Sequence, residues 1–273
     1  GQGTGRDSRA RPLTTEAAKA GARVSFSLSD VVTNPVEYRT WDGTVWSSWT
    51  TYTSNAAIAL ANIGDKVQFR GDNARYAESI VNNSRFTIDD DCCVYGNIMS
   101  LIHSSGFSRA TELTASFTFC GLFSFNDHLL TDPTKPLLLP ATTLNGYCYI
   151  GMFTDCTGLT VAPELPAETL TQGCYLDMFT GCTCLTVAPE LPAGTMTLDC
   201  YTGMFADCTS LSCVICLATD LSGIQCTQSW LDGTGTDVTG PKTFCKAASM
   251  NDWPSGVSGI PDGWTVKDYE PAP

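Results

Sequence analysis

Met152-Phe153-Thr154-Asp155-Cys156-Thr157-Gly158-Leu159-Thr160-Val161-Ala162-Pro163-Glu164-Leu165-Pro166-Ala167 returns 26 residues later as Met178-Phe179-Thr180-Gly181-Cys182-Thr183-Cys184-Leu185-Thr186-Val187-Ala188-Pro189-Glu190-Leu191-Pro192-Ala193. The step continues on both sides. Cys148-Tyr149, Cys174-Tyr175 and Cys200-Tyr201 precede the Met-Phe pairs, the third of which is Met204-Phe205. Cys208-Thr209 and Leu211-Ser212 then complete a third ungapped unit. A worn fourth copy lies upstream, with Leu122-Phe123 in place of Met-Phe and Leu139-Pro140-Ala141 in place of Leu-Pro-Ala. Four extra residues near Asp132 to Lys135 stretch its spacing. Self-similarity at such a period marks an array whose units bury their apolar faces only against one another.

One unit can be read from its residues. Leu159, Val161 and Pro163 alternate with Thr160, Ala162 and Glu164, the period of a short strand with one face buried. Leu-Pro-Ala then turns the chain, since proline does not sit in a paired central strand. Cys174 with Met178, and Tyr175 with Phe179, are four apart and predict about two turns of helix or a 3₁₀ piece with one apolar side. Gly181-Cys182-Thr183 turns the chain into the next strand. The outward positions Thr160, Ala162, Glu164, Thr186, Ala188 and Glu190 are the candidate binding face.

The pattern Met-Phe-x-x-Cys-Thr-x-Leu-Thr-x-Ala-Pro-x-Leu-Pro-Ala resembles the BspA-like leucine-rich repeats of gut and oral Bacteroidetes and their phages. Phe153, Phe179 and Phe205 match that family's core phenylalanine, and Cys156, Cys182 and Cys208 its ladder position. The resemblance covers about residues 117–218, and Leu217 to Asp220 with Gly259 to Val266 resembles the segment closing such arrays. It implies a short leucine-rich-repeat solenoid preceded by a β-domain, in a surface or phage-particle protein of adhesive role with no catalytic residue among the matched positions.

Fourteen cysteines are placed mostly by the repeat. Columns 148/174/200 and 156/182/208 read as stacked thiols packed as small apolar groups, because three stacked positions do not pair evenly into disulfides. Cys213-Val214-Ile215-Cys216 lacks the second pair that a zinc site needs, and its alternation with Leu211 predicts Cys213 inward and Cys216 outward. Cys92 and Cys93 point to opposite faces of a strand, while Cys120, Cys184, Cys226 and Cys245 have no readable partner.

Upstream of the repeats, residues 13–100 carry strand patterns. Arg23 to Leu28 alternates, Val36 to Trp41 leads into the hairpin signal Asp42-Gly43, Val45 to Trp49 forms the return strand, and Lys66 to Arg70 follows. Turns every 8 to 12 residues suggest a β-sandwich. Trp41, Trp46 and Trp49 form a candidate aromatic patch: either a cross-strand cluster filling a small core or a platform for stacking saccharides. Residues 1–20, with Arg6, Arg9, Arg11 and Lys19, form a basic arm. The expected layout is therefore mainly β with short helices: arm 1–20, β-sandwich 21–100, solenoid 101–218, and C-terminal cap and tail 219–273.

Composition bounds the function. A net charge of −13 repels phosphate backbones, so no nucleic-acid partner is expected. No apolar run is long enough for a membrane span, and Gly1 to Pro12 shows no signal peptide. His103 and His128 lie in no metal or triad spacing, and no phosphate-binding or nucleophile-elbow motif occurs. Asp89-Asp90-Asp91 lacks the oxygen-and-glycine pattern of a calcium loop and reads as a solvated turn. Glu164 and Glu190 owe their proximity to the repeat and not to acid–base work. The expectation is a non-enzymatic protein without metal or cofactor, on an extracellular surface or a virion, recognising a protein or glycan on a host surface. The alternative is a decoration or fibre subunit that meets its own copies or virion or filament neighbours through residues 1–20.

Overall fold

In the computed structural model, residues 8–271 are described. The protein is mainly β. Alternating residues from Leu13 onward build two sheets whose apolar faces meet. The larger takes β1 (Leu13–Ala17), β3 (Glu37–Trp41), β4 (Thr50–Thr51), β6 (Lys66–Arg70) and β8 (Cys92–Asn97). The smaller takes β2 (Ala22–Ser27), β5 (Ile58–Leu60) and β7 (Arg85–Ile88) in the order β5-β2-β7. In the larger sheet β1 is central and antiparallel to both neighbours, with Thr15 opposite Val67 of β6 and Val94 of β8. Phe26 stacks on Phe86 at 3.8 Å, and Phe69 meets both edge-on at 5.8 and 5.1 Å.

The basic arm is corrected here. Its second half is β1, one of the most enclosed strands of the protein. Leu13, Thr14, Thr15 and Ala17 are buried, and the Asn97 side chain and backbone amide donate to the carbonyls of Arg9 and Arg11 at 3.0 and 2.8 Å. The two-residue alternation of Leu13-Thr14-Thr15-Glu16-Ala17 is completed by the neighbouring strands β6 and β8. Residues 1–7 of the arm lie outside the described residues.

Two short parallel strands carry the larger sheet into the repeats: β9 (Leu129–Leu130) and β10 (Leu137–Leu138) both pair with β8. The Asp132 to Lys135 insertion between them is a tight turn, closed by the Lys135 amide on the Asp132 carbonyl at 2.9 Å. One cluster of buried residues then runs unbroken from Leu13 to Trp264. Its spine is two files of aromatic rings. Phe86, Phe123, Phe153, Phe179 and Phe205 stack at 5.2, 5.6, 5.5 and 5.7 Å. Phe119, Tyr149, Tyr175, Tyr201 and Trp230 stack at 6.0, 5.9, 6.0 and 6.0 Å. Each such ring pair contributes about 0.5–1.5 kcal/mol beyond the burial of its area.

Successive units are joined backbone to backbone. Tyr149, Gly151, Phe153 and Asp155 donate to the carbonyls of Cys174, Leu176, Met178 and Thr180 in the following unit at 3.0, 2.8, 2.9 and 2.7 Å. The intervening amides of Met152, Thr154 and Cys156 turn back three residues, to Tyr149, Gly151 and Phe153, at 3.1, 3.2 and 3.0 Å. The expected helix over 174–179 is therefore absent: the segment is a run of consecutive turns. Every fourth residue has a left-handed backbone, as at Gly173 (φ 58°), Asp177 (52°) and Gly181 (74°), then Asp199 (54°), Gly203 (61°) and Asp207 (57°). An α-helix cannot contain such residues, whereas glycine and aspartate accept them at least cost. Glycine and aspartate also alternate between neighbouring units. A Cβ on Gly181, Gly203 or Gly233 would run into the carboxylate of Asp155, Asp177 or Asp207. The aspartate of one unit thus fills the space that glycine leaves in the next.

The strands expected at the repeats' outward side are reduced to single bridges, Val161 to Val187 and Leu191 to Cys216. Leu159 and Pro163 point inward as expected and Leu165 joins them, but Val161 is half-buried, Val187 is 52% exposed, and Ala162 and Ala188 pack against the core. Only after Leu211 does a full parallel sheet appear, of β11 (Cys213–Cys216), β12 (Thr243–Lys246) and β13 (Thr265–Asp268). Its register sets Val214 beside Phe244 and Phe244 beside Val266. Cys216 is buried with Val214, and Cys213 is exposed, the reverse of the expectation. The inward phase slips by one residue between Leu211 and Val214, both of which are buried.

Candidate functional site

The outer face of the larger sheet carries the most distinctive surface. Two-residue alternation sends Arg39 and Trp41 from β3, Lys66 and Gln68 from β6, Glu16 from β1 and Tyr95 from β8 to the same side. Together with Arg11, Trp46 and Lys135 they line a groove of about 570 Å³. This lies in the range of small-ligand sites. The hairpin after Asp42-Gly43 makes one wall. Asp42 accepts from the Thr44 and Val45 amides at 2.9 and 3.0 Å, which holds its carboxyl down at about 2. Trp46 bridges back to Trp41, but the return pairing at β4 resumes only at Thr50, so the chain bulges at Ser48-Trp49.

The bulge separates the three tryptophans. Trp41 and Trp46 line the groove with their rings 5.6 Å apart at 50°. Trp49 lies beyond Arg39, whose guanidinium is 4.6 Å from the Trp46 ring and 4.7 Å from the Trp49 ring, and Arg70 covers Trp49 at 4.3 Å. The patch is neither core filler nor a flat platform of three rings. It is a ladder of aromatic and guanidinium planes. Burial, helped by neighbouring Arg70, lowers the Arg39 pKa from its ordinary value. The Arg39 Nε donates to Gln68 Oε1 at 2.9 Å, fixing both side chains.

Glu16 sits on the groove floor, where Lys135 donates to both of its oxygens at 3.2 Å and the Tyr95 hydroxyl donates to Oε2. Burial and then the Glu16 hydrogen bond push the Tyr95 phenol well up, so it stays a protonated donor. Lys66 and Lys135 approach the rings of Trp41 and Tyr95 at 5.8 and 5.4 Å, and Arg11 lies 5.3 Å from Tyr95. The groove gathers four basic side chains and one acidic one, in a chain that holds 15 basic and 28 acidic residues.

The candidate face on the repeats is a second surface. Thr160, Glu164, Thr186 and Glu190 are exposed, and Ala162 and Ala188 are half-buried between them. Thr186 donates to the Thr160 carbonyl at 3.2 Å, and the Tyr269 hydroxyl reaches across from the C-terminal segment to Glu190 at 2.8 Å. Ala162 and Glu164 also border an apolar cleft of about 330 Å³, walled by Pro136, Leu138, Pro140, Val161 and Pro166.

Asp90, Asp91 and His128 offer ligand atoms within 4.8 Å of one another. The sequence separated His128 from this turn. The Lys19 ammonium already stands 3.1 Å from each carboxylate, and His128 Nδ1 lies 2.8 Å from Asp91. The hydrogen bond with His128, then that from Lys19, holds the Asp91 pKa down. The arrangement works as an ion-pair tie between the chain after β1 and the loop before β8.

No family model, curated protein or solved structure matches this chain.

The cysteine columns are donors as well as filler. The thiols of Cys156, Cys182 and Cys208 point at the carbonyls of Phe123, Phe153 and Phe179 at 3.0, 3.1 and 3.1 Å, and Thr234 makes the same bond to Phe205 at 2.8 Å. Burial pushes the Cys156 thiol up to about 12 and the Cys148 thiol to about 12. Buried thiols of this kind are inert. Cys226, which had no readable partner, stands 26 residues after Cys200 and extends the first column.

Proposed function

We propose that the stacked units are a leucine-rich-repeat-type solenoid similar to the BspA-like arrays, and that the chain is a non-enzymatic adhesion protein. It is displayed on a cell or phage-particle surface and recognises a protein or glycan of a host. The observation carrying this reading is the register of the units. Backbone bonds between Thr160 and Thr186 and between Ala162 and Val187 set the two copies side by side, the exposed Glu164 and Glu190 continue the same positions, and Ala162 and Glu164 border an apolar cleft. Rows of this kind are what repeat arrays use to meet large partners. The aromatic files behind the row make it rigid, so little ordering cost falls on binding.

The test is attachment of the fluorescently labelled chain to a panel of gut and oral bacterial cells and epithelial cells. The expected result is saturable attachment, weakened about tenfold or more by Glu164→Lys with Glu190→Lys, at unchanged thermal stability. Attachment to no cell type, or attachment indifferent to these two substitutions, overturns the reading. A hydrolase and glycosidase screen showing turnover that Glu164→Gln with Glu190→Gln abolishes would overturn the non-enzymatic part.

A further inference from the structure

From the groove on the outer face of the larger sheet we infer a second, separate binding site, for a saccharide unit bearing a carboxylate or sulfate group. The inference rests on the reading of the chain as a binding protein, and it names a ligand chemistry at a place apart from the row of Thr160, Glu164, Thr186 and Glu190, with Lys135 as the lining residue that comes from the insertion in the worn repeat copy.

Three features of the groove argue for this class. The first is charge. Arg11, Arg39, Lys66 and Lys135 converge on one concavity of a strongly acidic protein, with Glu16 as their lone acidic neighbour in the lining. A concave cationic surface focuses its field and selects anions. The second is the pair of half-buried rings, Trp41 and Trp46, set at 50° so that they offer two walls and not a slot for a flat base. Such walls suit the apolar face of a pyranose ring. The third is the fixed set of polar groups between them. Gln68 is held by Arg39 and by Thr14 at 2.9 and 3.1 Å, and the Glu16 carboxylate is oriented by Lys135 and Tyr95. A carboxylate on the floor accepts from sugar hydroxyls, and it penalises a ligand with dense negative charge. The acidic surface beyond the groove likewise repels a long polyphosphate or nucleic-acid strand. The groove therefore fits a ligand with one anionic group per ring, neutral hydroxyls around it and an apolar ring face. Every lining side chain from β1, β3, β6 and β8 comes off a strand inside the sheet, so the site is built before a ligand arrives.

The experiment is titration calorimetry of the full chain with four probes: trigalacturonic acid, its methyl ester, a chondroitin sulfate hexasaccharide and tripolyphosphate. The expected result is binding of one or both acidic saccharides, weakening as salt is raised, with the methyl ester and tripolyphosphate each bound about tenfold or more weakly. Chondroitin sulfate carries uronate carboxylates as well as sulfates, so a desulfated chondroitin hexasaccharide is titrated beside it: equal binding assigns the carboxylate, weaker binding the sulfate. Arg39→Gln is expected to cost about tenfold or more. Lys135→Gln, at a half-buried turn position paired with Glu16, is expected to lower affinity in the same direction at a melting temperature that shows the fold is kept, and Lys135→Arg to restore it. Equal binding of the methyl ester, stronger binding of tripolyphosphate, or no acidic saccharide bound at millimolar concentration overturns the inference. The two proposals fail separately. Cell attachment sensitive to Glu164 and Glu190 without saccharide affinity removes only the groove site. Saccharide affinity without that attachment removes only the row.

Discussion

Gly203→Ala tests the interlock of glycine and aspartate between neighbouring units. Gly203 has φ 61°, and an added Cβ would press on the Asp177 carboxylate, with Asp177 Cγ at 3.2 Å and the next neighbour, Thr180 Oγ1, at 3.6 Å. Two costs follow. Alanine in the left-handed region costs about 1–2 kcal/mol. Displacing Asp177 also strains its contact with Thr180 Oγ1 at 3.3 Å, a hydroxyl whose proton is shared with the nearer Gly203 carbonyl at 2.6 Å, the set being worth about 0.5–1.5 kcal/mol. The total expected is about 1.5–3.5 kcal/mol. In an Asp177→Gly background only the first cost remains, because Thr180 Oγ1 is at ordinary contact distance. A double-mutant cycle read by urea unfolding should therefore show a coupling of about 1 kcal/mol or more, with the two changes together costing less than their sum. Strict additivity would refute the interlock and leave the alternation of Gly and Asp without a packing cause.

Asp177 also gives a pH signature. Burial raises its pKa above the ordinary carboxylate value, the Thr180 bond only partly opposing this. Its contribution to stability is thus fully present below the ordinary carboxylate range and lost as pH rises through the raised folded value. Asp177→Asn should raise the melting temperature at neutral pH, with the gain shrinking in acid; a gain independent of pH would contradict the burial argument. At the donor column, Cys182→Ser should be tolerated better than Cys182→Ala. The hydroxyl can keep the bond to the Phe153 carbonyl, as Thr234 does to Phe205, whereas alanine removes one of the two bonds that carbonyl accepts, the Cys156 amide keeping the other, at about 0.5–1.5 kcal/mol; chemical denaturation of the two variants decides it. Alkylation of the native protein followed by peptide mass spectrometry should modify exposed Cys184 and Cys213 first. The buried ladder thiols should react only after unfolding, and early labelling of Cys182 would contradict its burial.

The repeat was legible because its cause is linear. Each unit meets its neighbour at the same positions, so the packing demand is written at a fixed spacing, and Phe153, Phe179 and Phe205 fall into one file of rings. Secondary structure inside the unit was misread, because the four-residue spacing of Cys174 with Met178 and Tyr175 with Phe179 is shared by a helix and by consecutive four-residue turns. The distinguishing signal was present in Gly173, Asp177 and Gly181, then Asp199, Gly203 and Asp207, residue types that accept a left-handed backbone. Cys226 could have been found by adding one more period.

The candidate sites divide in the same way. The outward row of Thr160, Glu164, Thr186 and Glu190 followed from alternation and period, apart from Ala162 and Ala188, which the core draws in. The tryptophans were visible as a cluster, but not the side chains around them. Arg11, Glu16, Arg39, Lys66, Tyr95 and Lys135 come from distant segments, and only strand order and register set them on one face. Local patterning thus determined by itself what repeats, which faces are apolar and which chemistries lack their motifs. Tertiary structure alone decided that the basic arm continues as a central strand and that four scattered cations share one groove, because strand pairing between distant segments depends on partners that no local spacing encodes.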